Sequence, residues 1–287
     1  MHISEINVYP IKALKAIPVE SAVVEARGLR GDRRMVLTDS EGNFLTQRKY
    51  PQLAAISVAL NGSGITVSAE GAAPLSIEPL TSGERCRVTV WASESEALAY
   101  GNDINNWFSG LLGFEARLFY MPDDAGRPVN ERFNKGGDLV SFADGYPLLL
   151  TGEASLADVN KKLVEKAGNS TAAIPMNRFR PSIVVAGAEA FGEDRWLRLR
   201  VGNTVFRAGK PAGRCVVTTI DQQSGISTGK EPLKTLASYR LAKNIMPARF
   251  ESLGLRPESV VFGLNLIPEA YGAAIRIGDE VEILEHV

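Results

Sequence analysis

The sequence predicts a mixed, β-rich fold that contains barrel-like sheets and only a few peripheral helices. Short apolar stretches alternating with period two dominate the chain, and Gly- and Asn-rich turns break them at close intervals. Few segments show the 3.6-residue period of an amphipathic helix. There is no repeat of solenoid length and no low-complexity tract.

The first 120 residues read as short strands and tight turns. "MVLTDSEGNFLTQR" places two apolar stretches around Ser40-Glu41-Gly42-Asn43, a hairpin signal. "AAISVALNGSGITVSAE" repeats the pattern, with Ile56, Val58 and Leu60 alternating before the turn Asn61-Gly62-Ser63-Gly64 and Ile65 and Val67 after it. "RCRVTVWAS" sets Cys86 on one apolar face with Val88 and Val90, as a small core residue. The period then changes: Ile104, Trp107, Phe108, Leu111 and Leu112 share a helical face, with Asp103 as the expected N-cap and Gly113 as the stop. "ARLFYMP" returns to strand. The polar, Gly-rich run Asp123 to Asp138 is expected to be a connector or an active-site loop. A boundary near residue 120 divides the chain into 1–120 and 121–287.

In the second half, "EASLADVNKKLVEKAG" is expected to be a helix with Ser155 and Asp158 in capping-box positions and Gly168 ending it. "RPSIVVAG" reads as a buried strand. Leu197, Leu199 and Val201 alternate before a turn at Gly202-Asn203. Pro232 opens a helix that carries Leu233 and Leu236 on one side, and the tail forms two strands around Gly278-Asp279.

Bulk composition excludes several function classes. The 287 residues are 45% hydrophobic and 23% charged, with a net charge of −1, so no basic excess points to nucleic acid or an anionic membrane. No apolar stretch is long enough for a transmembrane helix and the N-terminus does not read as a signal peptide, so a cytoplasmic location is expected. The two cysteines, Cys86 and Cys215, allow at most one disulfide. The two histidines, His2 and His286, lie at the chain ends, which argues against a Cys–His pair, a Ser–His–Asp triad or a Cys/His zinc site. Neither "GLRGD" nor "AGRC" matches a nucleotide-binding fingerprint.

"GKPAGRCVVTTIDQQSG" holds Cys215 just after Pro211–Gly213, read as a turn, and at the start of an expected strand. Val217 and Thr219 would share its face, and Arg214 would favour its thiolate, the form that is both nucleophile and soft metal ligand. Spacing alone leaves a plain buried cysteine as an alternative. Several basic residues sit beside Pro or Gly turns: Lys12, Arg33, Arg48, Arg178 and Arg180. Converged on one cleft, they would hold a phosphate or carboxylate; dispersed, they would be solvated surface.

Seven stretches in order, among them "INVYPIKAL", "GLRGDRRMVLTDSEGNFLTQRKYPQLA", "NRFRPSIVVAGAEAFGEDRW" and "GRCVVTTIDQQSG", resemble MOSC-domain proteins over essentially the whole chain. The name denotes the C-terminal domain of molybdenum cofactor sulfurase. Residues 1–120 resemble the β-barrel domain preceding MOSC in the mitochondrial amidoxime-reducing component and its bacterial relatives, and 121–287 resemble the MOSC β-barrel domain itself. The resemblance implies that Cys215 is the one protein ligand to molybdenum, the other donors being a pyranopterin dithiolene and oxo or hydroxo groups. It implies a pterin phosphate held by Lys12, Arg33, Arg180, the loop Asp144-Gly145-Tyr146 and Ser182, with Asn265 lining the same cleft. Asp144 is a candidate for proton handling or for orienting neighbours, beside a plain loop-capping role.

The chain departs from the family pattern at Ala13, where Ser is frequent, and at Ser182, where Asn is frequent. It departs again at Ala212, which replaces a first cysteine, and at Leu264, where Gln is usual. Some relatives continue into a ferredoxin-like domain with a [2Fe–2S] cluster, for which this chain has no spare cysteine. The resemblance therefore implies reduction of N-hydroxylated small molecules, of amidoxime or hydroxylated-base type, to the amine or amidine. Electrons would come from a separate ferredoxin- or cytochrome-type protein or reductase. A carrier or sulfur-handling module for the molybdenum cofactor is the alternative. Pyridoxal phosphate is not expected, because the aminotransferase-like region of the sulfurases is missing.

Overall fold

The computed structural model describes residues 1–287, and strand outweighs helix by 38% to 19%. The largest unit is an eight-stranded sheet. In spatial order its strands are Ile17–Val19, His2–Val8, Ile183–Ala186, Leu148–Gly152, Val260–Pro268, Thr204–Arg214, Trp196–Val201 and Val281–His286. Only Leu148–Gly152 and Ile183–Ala186 run parallel, and the helix Glu153–Ala167 lies between them in sequence, as a parallel crossover requires. The sheet curls, because His2 bridges Glu280 and the Val281 amide donates to the Met1 carbonyl at 3.0 Å. Beneath it lies a cluster of 17 buried apolar residues, including Ile6, Leu150, Phe206 and Leu266.

Residues 11–118 build a second core of 16 buried residues, into which the helix Asn102–Leu112 inserts Phe108. Around it stand a four-stranded sheet (Met35–Asp39, Ala116–Tyr120, Ser93–Ala99, Arg85–Val90) and a three-stranded one (Ser57–Asn61, Gly64–Ser68, Leu75–Ile77). The two halves share structure: the first two strands belong to the large sheet, and Ala274–Arg276 pairs with Ser21–Glu25. No helix is long and apolar enough to cross a membrane.

Several local expectations are corrected. The helices begin at Gly101 and Gly152, and neither Asp103 nor Ser155 caps them. Ser155 is buried and committed elsewhere, donating to the Glu193 carboxylate at 2.8 Å and accepting from the Phe191 amide. Asp158 accepts instead from Lys162 and Tyr239. Leu197 is exposed, because a register shift between Trp196 and Leu199 turns the tryptophan inward. Leu60 is also exposed, and Cys86 is half-buried against Val36, Val88 and Val90.

The most consequential correction concerns the cysteine segment. Pro211–Gly213 is not a turn but part of the long strand Thr204–Arg214, whose register shifts on either side of Pro211. Proline has no amide hydrogen for the ladder, which explains the irregularity. The strand ends where it was expected to begin: Cys215 leads into a 3₁₀ turn, Val216–Thr219. Thr218 donates through both its amide (3.1 Å) and its hydroxyl (3.0 Å) to the Cys215 carbonyl, and Thr219 donates to the Val216 carbonyl at 2.8 Å. These local bonds compete with a strand ladder, and β-branched composition alone does not reveal them.

Gly263, in the middle of Val260–Pro268, has φ of +81° and lies where a Cβ would stand 2.7 Å from the Leu150 carbonyl oxygen. Gly263→Ala is expected to destabilise the fold by about 2 kcal/mol or more, read as a lower midpoint in urea unfolding.

Candidate active site

Beside the end of the Thr204–Arg214 strand lies a cleft of about 890 Å³. Seven basic side chains line it against one carboxylate, in a chain whose net charge is −1. Lys12, Arg33 and Arg48 come from the N-terminal half, while Arg180, Lys210, Arg214 and Arg256 come from the rest. The carboxylate is Asp144.

Cys215 is half-buried at this opening, and its Sγ accepts a hydrogen bond from Arg48 Nε at 3.4 Å, across 167 positions of sequence. Its neighbour Arg214 turns away. The Arg214 guanidinium donates to the Phe179 carbonyl at 2.5 Å and sits over the Phe179 ring, and burial pulls its pKa down to about 10 against the opposing influence of Cys215. The hydrogen bond to the thiol therefore comes from Arg48, while Arg214 acts on it through charge alone. Arg48 is held by stacking 4.5 Å over the Trp91 ring, and the buried Gln47 beside it bonds the Ala13 carbonyl and the Gln222 amide. Trp91 in turn donates its indole N–H to Asp144 at 3.1 Å.

Lys12 Nζ lies 2.5 Å from Asp144 Oδ1 and 5.3 Å from the Phe44 ring centre. Partial loss of water in the cleft opposes ionisation of Asp144, although its side chain stays largely exposed. The Lys12 ammonium, its hydrogen bond, the Trp91 bond and Arg48 together outweigh that and hold the carboxyl well below the ordinary range.

Arg33 and Arg180 form the inner wall. Their guanidinium carbons lie 4.3 and 4.5 Å from the centre of the Tyr9 ring. Arg33 pairs with the buried Asp32 at 2.5 Å, and Asp32 also accepts from the Tyr9 amide. Arg180 donates to Gln222 and to the Leu14 carbonyl, and burial draws its pKa down to about 10. Ser182 is fully buried behind them, its Oγ 3.5 Å from Arg33 Nη1, so it braces Arg33 and does not line the cleft. Gly145, Tyr146 and Asn265 do line it. Tyr146 lies flat enough on Gly209 that a Cβ there would stand 2.5 Å from the ring. Asn265 uses its amide to hold the Lys210 carbonyl at 3.1 Å.

Five non-glycine residues have positive φ, and four of them (Ala13, Arg33, Trp91 and Arg180) line this one cleft. Such backbone strain is tolerated where the surroundings over-determine it, and it concentrates at functional sites. The sequence pattern missed Trp91 and Lys210 because neither stands in a recognisable motif. An Ala-flanked tryptophan at a hairpin tip was the available signal for Trp91.

No group of three or more His, Cys, Asp or Glu side chains is arranged to hold a metal. A soft metal taken up by the Cys215 thiolate would draw its other donors from a chelating ligand, and the surrounding cations suit one that carries an anion.

Residues 1–115 match the MOSC N-terminal beta barrel domain, and residues 138–282 match the MOSC domain. The chain belongs to the MOSC-domain family. It is similar to mitochondrial amidoxime-reducing component 1 of Homo sapiens, 30% identical over 98% of this chain and 82% of that protein. It is also similar to mitochondrial amidoxime reducing component 2 of Bos taurus, 32% identical over 97% of this chain and 82% of that one. The molybdenum cofactor sulfurase of Oryza sativa subsp. japonica is 30% identical over 85% of this chain but only 31% of its own length. In this MOSC protein the N-terminal barrel therefore contributes part of the cleft wall, including Lys12, Arg33, Arg48 and Trp91.

The depressed pKa of Asp144 sets a pH signature. An acid whose folded-state pKa lies below its unfolded value contributes stability that is present above the unfolded value, about 3.9, and lost as the pH falls toward the folded one. The difference in urea midpoint between the parent and Asp144→Asn should stay constant from pH 8 down to pH 5. It should narrow only below about pH 4.

Proposed function

We propose that this chain is a molybdenum-cofactor oxidoreductase that reduces N-hydroxylated compounds, amidoximes or hydroxylated bases, to the amidine or amine. Each turnover consumes two electrons and two protons and releases water. The electrons come from a separate redox protein or reductase. The observation that carries this reading is the single thiol, Cys215, opening into a cleft rich in cations and without a second metal-ligating cluster. The full-length similarity to proteins named amidoxime-reducing components supports it.

The donor set fits such a group. A pyranopterin dithiolene brings its own sulfurs and a phosphate, leaving the protein to supply one soft ligand and a cationic cradle. When bound, the cofactor supplies a two-electron redox couple and an acceptor for the substrate oxygen.

The chain's own residues do the rest. Cys215 would be the protein's ligand to the metal, and the Arg48 N–H that bonds its sulfur would fix the ligand's orientation and draw charge from it. Arg33 and Arg180 present fixed, permanently charged donors to the phosphate, with Lys12 beside them and the Gly145 backbone and Tyr146 completing the wall. Asp144, kept ionised by Lys12, acts as an acceptor that orients Lys12 and Trp91 rather than as a proton donor.

Cofactor-replete protein is expected to contain near-stoichiometric molybdenum and to turn over benzamidoxime with dithionite-reduced viologen. Cys215→Ala should lose both turnover and the molybdenum–thiolate signature in X-ray absorption. Arg33→Ala and Arg180→Ala should purify with less pterin. Equal turnover by the parent and Cys215→Ala would remove the assigned ligand.

A further inference from the structure

The inner cations account for one anion, but the cleft does not end with them. Lys210 lies on the strand Thr204–Arg214, five residues before Cys215, which places it no more than about 17 Å from that residue along an extended chain. Its ammonium is half-buried and lies 3.5 Å from the Gly254 carbonyl. The Arg132 guanidinium reaches the same glycine, its Nη1 3.5 Å from where a Gly254 Cβ would stand, and no carboxylate lies within ion-pair distance of either cation. Arg132 Nη1 is tied to the Glu251 and Ser252 carbonyls at 2.6 Å each, and Arg256 follows in the same loop and lines the cleft.

Some exposed cations on this chain find carboxylates. Arg85 pairs with Glu96 and Asp124, and Arg200 pairs with Glu282. Holding Lys210 and Arg132 together without an acid is unfavourable unless a ligand supplies the negative charge. A second feature points the same way. The Tyr146 hydroxyl, in the same wall and within the influence of Arg132, is buried with no hydrogen-bond partner. A buried hydroxyl left without a partner is costly, and a bound anion would accept from it.

We infer that Lys210, Arg132 and Arg256, gathered around Gly254 in the cleft wall, form a second anion subsite beside the one made by Arg33 and Arg180. It selects substrates that carry a phosphate or carboxylate at the end opposite the reducible N-hydroxy group. The subsite deepens the reductase reading and rests on it for the identity of the reacting end. An aromatic amidoxime with a carboxylate, or an N-hydroxylated base carrying a phosphorylated sugar, carries both kinds of end. The same anion chemistry has a second source, the cofactor's own phosphate, and the experiment separates the two.

Three measurements on the cofactor-loaded protein test the inference. In turnover, the parent should favour 4-carboxybenzamidoxime over benzamidoxime, and Lys210→Gln should reduce that preference about tenfold through KM, with Lys210→Arg restoring it. By calorimetry, phenyl phosphate should bind the parent and bind Lys210→Gln about tenfold more weakly. Pterin and molybdenum contents should be the same in the parent and the variant. Equal binding of phenyl phosphate by both proteins overturns the subsite, and loss of pterin from Lys210→Gln assigns Lys210 to the cofactor's phosphate and overturns it equally. Absence of benzamidoxime turnover together with Lys210-dependent binding of phenyl phosphate would leave the subsite standing and refute only the reductase reading.

Discussion

Two guanidinium groups sharing one buried tyrosine ring is the constraint on which the rest of the cleft depends. Arg33 and Arg180 repel one another, and burial of each is unfavourable. The fully enclosed Asp32, the Tyr9 π-face and the amide of Gln222 together make the arrangement tenable. Because Tyr9 belongs to the N-terminal segment and Arg180 to the approach to Ile183–Ala186, this sandwich also joins the two halves of the chain. The cleft is thus part of what holds the barrels together, and its electrostatics are built into the fold.

The outer wall follows a different logic. Trp91 is nearly half exposed and strained at φ of +56°, yet it bonds Asp144, stacks on Arg48 and meets Phe44 edge to face. One side chain thereby fixes two charged groups of opposite sign, one of which, Arg48, bonds the Cys215 sulfur. Long charged side chains at a protein surface normally sample many rotamers, and pinning Arg48 on an aromatic face removes that freedom where the sulfur needs a constant neighbour. Strain at Ala13, Arg33, Trp91 and Arg180 is consistent with a site whose geometry is set in advance of its ligand.

Period-two alternation located the strands well wherever one face is buried, as at Arg85–Val90 and Gly64–Ser68, because the side-chain period of a strand is fixed by its geometry. It failed where local bonds outcompeted the ladder. At Cys215 the hydroxyls of Thr218 and Thr219 close a tight turn, and at Trp196 a bulge inverts the inward face. The caps were misread because Ser155, which has a capping residue's chemistry, was claimed by Glu193 from far along the chain. Lys12, Arg33, Arg180, Asp144, Gly145, Tyr146, Asn265 and Cys215 do line one cleft, whereas Ser182 stands behind it.

By itself the sequence determined the β-rich class and the scarcity of histidine and cysteine, which leaves no Cys/His set for a metal, so that a metal held by Cys215 would need donors from elsewhere. These are matters of inventory and period, and they need no coordinates. Only the tertiary structure decided which cation meets that thiol, since Arg214 beside it in sequence points into the protein while Arg48 arrives from 167 positions away. Adjacency along a chain says little about adjacency of side-chain tips, because a long arginine follows the backbone direction and the carbonyls within its reach rather than its neighbour's charge.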